Sequence, residues 1–161
     1  MKKILSLLLF FTISTNLFSQ TYKLEKVFAD EASQTFLSYW NPLDSVQLQK
    51  GNIFSLWGYQ RYDESWIHSY EVVYFKGDAK EMFGFLSYIL DFTNKYKNED
   101  GVLTFISGVK IKTLKQLSFR YTLVYDKEGK VVCSYNQKQW TDIFNKFTGY
   151  CKSNNITYEK K

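Results

Sequence analysis

The chain has 161 residues, of which 45% are hydrophobic and 19% aromatic, and its formal net charge is +5. This length and composition predict one folded domain and exclude disordered and collagen-like proteins. The lysines are scattered and only Arg61 and Arg120 are arginines, which argues against a nucleic-acid-binding protein.

Residues 1–19 have the pattern of an export signal. Lys2 and Lys3 precede an apolar run over residues 4–11, and a more polar segment ends at Ser19. The apolar run is too short to span a bilayer, and the segment resembles bacterial Sec-type signals. We therefore expect cleavage after Ser19, a periplasmic or secreted location and no stable membrane span; the alternative is an uncleaved anchor. Without the signal, 19 basic and 16 acidic residues remain.

Residues 20–155 are predicted to form a single α+β domain, followed by a frayed basic tail over residues 156–161. The start of this domain is the least regular part. Helical spacing connects six residues, namely Leu24, Val27, Phe28, Ala32, Phe36 and Tyr39. Residues 22–28 fit a strand equally well, but the longer pattern slightly favours a helix that ends before Pro42.

Three strands are predicted next, over residues 45–49, 53–61 and 66–75. Gly51 marks the first turn between them, and the polar residues 62–65 mark the second. Connections this short predict antiparallel pairing.

A helix is predicted to begin after Asp78, which forms a capping box with Glu81. Its apolar stripe consists of Met82, Phe85, Leu86, Ile89, Phe92, Thr93 and Tyr96. Residues 98–101 end the helix.

The second half predicts strands over residues 102–111, 117–126 and 130–135. In the middle one, alternation places Leu123 on the apolar side and Arg120 and Thr122 on the wetter side. Asn136 then caps a final helix with an apolar stripe of Trp140, Ile143, Phe144, Phe147 and Cys151.

This order of elements predicts an α+β fold. We expect an antiparallel sheet of about five or six strands, with the two amphipathic helices packed on one face. The opposite face then meets water or another layer.

Cys133 and Cys151 are the only cysteines, and an even number in an exported chain predicts a disulfide. Cys133 lies on the last strand and Cys151 on the stripe of the last helix, so the two meet if that helix covers that sheet. The alternative is two buried free thiols that act as small apolar residues.

Catalytic motifs are absent from the sequence. It contains no nucleophile elbow and no phosphate-binding loop, and its single histidine, His68, has no cluster of metal ligands around it. His68 or carboxylates such as Asp63, Glu64, Glu71 and Asp78 can still serve a hydrolase. We expect no cofactor, and a non-catalytic domain is favoured over an enzyme.

Aromatic side chains on neighbouring strands form the strongest candidate for a site. The predicted ligand-binding set is Trp57, Tyr59, Arg61, Trp66, His68, Tyr70 and Arg120, on the sheet face away from the helices. Flat aromatic rings suit sugars or an apolar partner, and arginine suits a carboxylate. Trp and Tyr also favour strands, so ordinary packing is the alternative.

The sequence thus favours an exported binding or accessory domain that recognises an unknown ligand or envelope protein and no nucleic acid. Two alternatives remain: a small secreted hydrolase centred on Asp/Glu or His68, and a structural subunit of a cell-envelope assembly.

Overall fold

The computed structural model describes residues 22–42, 53–61, 69–105, 108–116, 118–126 and 128–158. The described residues form two four-stranded antiparallel sheets, each followed by one helix. The first half contains β1 (Tyr22–Asp30), β2 (Thr35–Pro42), β3 (Ile53–Arg61), β4 (Ser69–Asp78) and α1 (Ala79–Lys95). The second contains β5 (Val102–Thr104), β6 (Lys110–Gln116), β7 (Phe119–Tyr125), β8 (Val131–Asn136) and α2 (Gln137–Ser153).

The α+β class is confirmed, whereas the prediction of one sheet with five or six strands is wrong. Each sheet is a meander in which sequence neighbours pair, in the orders β1-β2-β3-β4 and β5-β6-β7-β8. Two features produce the extra strands: a hairpin at the start of the domain and a turn inside the run predicted as residues 102–111.

The first hairpin replaces the helix that was slightly favoured for residues 20–41. Asp30 starts its turn, because the Asp30 carboxylate accepts hydrogen bonds from the backbone N–H groups of Ala32 and Ser33 at 3.1 and 3.3 Å. Gln34 follows with a positive φ of 53°. A turn of this kind reverses the chain, so residues on its two sides pair as the antiparallel strands β1 and β2. Each strand then buries alternate side chains, which favours strands over the predicted helix.

The second extra strand arises where Gly108, with a φ of 85°, reverses the chain between β5 and β6. The Phe105 N–H donates to the carbonyl of Val109 at 2.8 Å and closes this turn. Glycine adopts positive φ without steric cost, so one position divides the predicted strand into two.

Both helix starts are confirmed. The N–H of Glu81 donates to the Asp78 carboxylate, and the N–H of Asp78 donates back to the Glu81 carboxylate, both at 2.8 Å. Asn136 and Gln139 make the same reciprocal pair at the start of α2. The predicted stripes are largely buried: Met82, Phe85, Leu86, Ile89, Phe92 and Thr93 in α1, and Trp140, Ile143, Phe147 and Cys151 in α2.

The two helices contact both sheets. In α1, Phe85 stacks on Phe75 of the first sheet, with ring centroids 4.2 Å apart. Thr122 of the second sheet is hydrogen-bonded to both helices: its hydroxyl lies 2.7 Å from that of Thr93, and its carbonyl accepts from the Trp140 indole at 3.2 Å. One core therefore extends through both halves.

These bonds correct the prediction for β7, in which Thr122 was placed on the wetter side. Thr122 is fully buried against the helices. Thr93 donates its hydroxyl hydrogen to the carbonyl of Ile89 at 2.7 Å, so Thr122 must be the donor to Thr93. Alternation locates the two sides of a strand, but a hydroxyl whose hydrogen bonds are satisfied packs as readily as an apolar group.

Several predictions concern the chain ends and connections. Residues 1–19, the predicted strand at 45–49, Trp66 and His68 lie outside the described residues. Of the tail predicted to fray, Tyr158 packs against Phe83 and Phe147, with ring centroids 5.2 and 5.8 Å away. No helix in the ranges given above is long and apolar enough to cross a membrane.

Candidate functional site

The predicted site residues fall on two different sheets. Trp57 lies on β3 of the first sheet, and Arg120 lies on β7 of the second. The structure describes Tyr59, Arg61 and Tyr70 by their backbone alone. In the register of β3 and β4, Tyr59 pairs with Glu71, and Tyr70 pairs with Gln60.

Two short Ser-x-Trp segments meet on the first sheet, on the face away from the main core. Ser38 on β2 and Ser55 on β3 are directly paired. The Trp57 indole reaches across to β2 and donates to the Ser38 hydroxyl at 2.9 Å, while the Trp40 indole reaches to β3 and donates to Ser55 at 3.0 Å. The two strands thus satisfy each other's indole N–H groups by one reciprocal pattern.

Further side chains extend this surface. Phe36 packs on Trp57 with ring centroids 4.7 Å apart. The Lys26 ammonium lies 5.2 Å from the centroid of the Phe36 ring, and that of Lys76 lies 5.6 Å from the Trp40 ring. We refer to Lys26, Phe36, Ser38, Trp40, Ser55, Trp57 and Lys76 as the tryptophan face. Its lysine–ring contacts are of the cation–π type, each worth about 0.5–1 kcal/mol at exposed positions.

The aromatic rings of the tryptophan face are largely covered within the chain. Phe36 is 3% exposed and Trp57 is 8% exposed, and the Lys76 ammonium lies over the half-buried Trp40. Stacking of a sugar requires an open ring face, so this geometry disfavours sugars as ligands. Two apolar side chains at the margins, Leu24 and Val73, are 45% and 49% exposed.

Sequence reasoning missed Trp40, Lys26 and Lys76. The detectable signal was the repeat of Ser-x-Trp at residues 38–40 and 55–57. The helix slightly favoured for residues 20–41 hides this repeat, because a helix has no cross-strand neighbours. A β-bulge in β4 also changes which side chains share the face of Trp57. It places Val73 beside Trp57, while Tyr74 is buried in the main core.

Arg120 fixes the segment that follows α1 through two hydrogen bonds. One guanidinium nitrogen donates to the carbonyl of Glu99 at 2.6 Å and to the Asp100 carboxylate at 2.7 Å. These bonds connect the segment after α1 to β7. Arg120 is thus separated from the tryptophan face and is engaged in a structural contact.

The predicted disulfide between Cys133 and Cys151 is wrong, because both cysteines are buried free thiols. Cys133 precedes α2 by about 13 Å of strand, and Cys151 lies about 21 Å along that helix, so a helix folded straight back carries Cys151 past Cys133. Near Cys151, Tyr150 donates to Glu25 of the first sheet at 2.6 Å. The two lengths differ by about 8 Å, whereas a disulfide requires Cα atoms within roughly 7 Å of each other, so the two cysteines are not positioned for a bond.

Both thiols remain protonated at neutral pH. Burial raises the pKa of Cys133 far above its ordinary value and raises the pKa of Cys151 to about 12. A thiolate is the reactive form of cysteine, so these residues suit packing and not nucleophilic catalysis.

A second polar cluster joins the β1–β2 turn to the second sheet. The Tyr135 hydroxyl donates to the Asp30 carboxylate at 3.0 Å, and Ser33 lies within 2.8 Å of Asp30 and 2.5 Å of Tyr135. Burial, opposed by hydrogen bonds, raises the pKa of Tyr135. At neutral pH Tyr135 therefore stays a protonated phenol that donates to Asp30, so it has no phenolate with which to accept a proton from Ser33. The cluster is best described as a structural contact.

This cluster predicts a specific dependence of stability on pH. Burial tends to raise the Asp30 pKa, but hydrogen bonds from Ser33, Tyr135 and Ala32 outweigh it, and the pKa lies below its ordinary value. The folded state therefore binds the proton less readily than the unfolded chain, whose pKa is about 3.9. Asp30 should stabilise the fold above that pH and lose this contribution as the pH falls through its folded pKa.

Denaturant titrations of wild type and Asp30→Asn across a pH series measure this effect. The difference in free energy of unfolding should be constant above about pH 5 and should shrink below about pH 4. A difference that stays constant down to about pH 2 contradicts the assignment.

The remaining candidates for catalysis are few in the described part of the chain. Asp78 and Glu81 are engaged in the capping box of α1. Among the residues that the structure describes, no group of three or more His, Cys, Asp or Glu side chains can hold a metal ion. No family model matches this chain, and no curated protein or solved structure is significantly similar to it.

Proposed function

We propose that the protein is an exported, non-catalytic binding domain that binds an acidic and apolar segment of an envelope protein along the exposed margin of the tryptophan face, formed by Leu24, Lys26, Val73 and Lys76. The observation that carries the proposal is the exposed margin itself: Leu24 and Val73 are 45% and 49% exposed, and the exposed Lys26 and Lys76 lie over the Phe36 and Trp40 rings. Export is supported by the signal pattern of residues 1–19.

The chemistry of the face favours a protein segment over a sugar. Its indole N–H groups already have serine acceptors, so they demand no acceptor from a partner. The exposed Leu24 and Val73 offer apolar area, and the Lys76 ammonium offers positive charge. Lys26 adds a second ammonium, which forms an exposed ion pair with Glu31 at 3.6 Å. A partner with apolar side chains flanked by Asp or Glu complements both features.

Rigidity is a second argument. Phe36, Ser38, Ser55 and Trp57 are buried and held by cross-strand contacts, so binding orders few side chains beyond the two lysines. Association on such a preformed surface loses little conformational entropy.

Charge reversal tests the proposal with little disturbance of the core. The chain from Gln20 onward is immobilised and incubated with envelope extract at low and high salt concentration. Wild type should retain a defined set of proteins. The Lys26→Glu/Lys76→Glu variant should retain at least tenfold less of each, because its new carboxylates repel an acidic partner. High salt should weaken the wild-type interaction.

The matched control is Lys80→Glu/Lys146→Glu, which reverses two exposed lysines on the helices. It should retain the same proteins as wild type. Equal retention by the Lys26/Lys76 variant, with an unchanged melting temperature, would rule out the tryptophan face as the binding surface. Recovery of the protein from the envelope fraction with Gln20 as its first residue checks the export.

A further inference from the structure

A cleft of about 840 Å³ opens between the end of α1, the first turns of α2 and the start of β7. Ligand sites commonly have volumes of roughly 300–1,000 Å³, so this cleft has room for a small molecule. It borders the second sheet and shares no residue with the tryptophan face on the first.

An exposed aromatic ring forms part of the cleft wall. Phe119 is 62% exposed, and its register partner is Gln116 across the β6–β7 hairpin. It is absent from the main core cluster, in contrast to Val124 further along the same strand. A phenylalanine in this position offers a flat apolar surface to a ligand.

The charges around the cleft are mostly positive. Three cationic side chains, Lys97, Arg120 and Lys138, line it together with one carboxylate, Asp142. Arg120 is engaged by Asp100, whereas in the described part of the chain neither Lys97 nor Lys138 takes part in an ion pair. The positive end of the α2 dipole lies at the same wall, beside Lys138.

The remaining lining is polar and well positioned. Gln137 at the start of α2 donates to Asn94 of α1 at 2.6 Å, which joins the two helices beside the cleft. Thr93 is fixed by its bonds to Ile89 and Thr122. The framework is therefore held in place, and the long side chains of Lys97 and Lys138 are the parts that can adjust to a ligand.

We propose that this cleft binds a small organic anion in which a carboxylate or phosphate is joined to a planar apolar ring. Lys97 and Lys138 contact the anionic group, and Phe119 packs on the ring. This site is independent of the proposed function of the tryptophan face.

Calorimetric titration of the chain from Gln20 onward tests the proposal with four probes: phenyl phosphate, phenylacetate, inorganic phosphate and benzylamine. At least one aromatic anion should bind saturably, about tenfold tighter than inorganic phosphate, and benzylamine should not bind. The tighter of the two aromatic anions identifies the preferred anionic group. Absence of saturable binding by both aromatic anions would overturn the proposal.

Variants identify the site. The Lys97→Ala/Lys138→Ala variant should bind the aromatic anion at least tenfold more weakly than wild type does. The Phe119→Ser variant should bind it no more tightly than inorganic phosphate. The control Lys80→Ala/Lys110→Ala removes two exposed lysines elsewhere and should bind as wild type does. Equal affinity of wild type and the Lys97/Lys138 variant would contradict the assignment.

Discussion

Replacing Phe147 by alanine should lower the free energy of unfolding by about 3–5 kcal/mol. Phe147 is fully buried on α2, and its ring meets Phe54 of the first sheet edge-on, with centroids 5.0 Å apart. It also packs on Tyr158. The variant loses the burial of the ring and leaves a cavity between the two halves of the molecule. A typical domain has 5–15 kcal/mol of stability, so the loss is large.

Denaturant titration followed by far-UV circular dichroism and by tryptophan fluorescence measures this loss. Both signals should shift together, because Trp40 and Trp57 report on the first sheet and Trp140 on the second helix. The control is Phe144→Ala on the same helix, where the ring is only half-buried against Phe83. A larger loss for Phe144→Ala than for Phe147→Ala would contradict this account of the core.

Replacing Ser38 by alanine should cost about 1–3 kcal/mol, and more than replacing Ser55. Ser38 accepts the hydrogen bond of the buried Trp57 indole, so its loss leaves that N–H without its acceptor and away from water. Ser55 accepts the hydrogen bond of the Trp40 indole, which is only half-buried and can bind water when Ser55 is removed. The two serines pair directly on adjacent strands, which makes the comparison a matched one.

Thermal and denaturant unfolding of the two variants measures the difference. The combined tryptophan emission of the folded protein should also change in Ser38→Ala, since that variant alone removes the acceptor of the buried Trp57 indole. Equal stability of Ser38→Ala and Ser55→Ala, or a larger loss in the latter, would show that the reciprocal bonds do not stabilise the tryptophan face as described.

Predictions from sequence were accurate where neighbouring residues decide the structure. The capping pair Asp78 and Glu81, the stripe of α1 and the bounds of β3 all agree with the structure. Each of these features depends on residues within a few positions of one another, so the periodicity of the sequence contains the information.

Predictions failed where distant residues decide the structure. Thr122 is buried because Thr93 and Trp140, from two different helices, satisfy its polar groups. Trp40 gains its acceptor from a strand that begins thirteen residues later. Neither partner can be identified from the pattern of one segment.

The α+β class, the starts of both helices and their apolar faces follow from the amino-acid sequence, because hydrogen bonding and side-chain spacing within a helix are local. The division into two sheets, the free thiols of Cys133 and Cys151, and the pairing of the two Ser-x-Trp segments depend on how the whole chain packs. Those features require particular distances between remote residues, and packing of the whole core sets such distances.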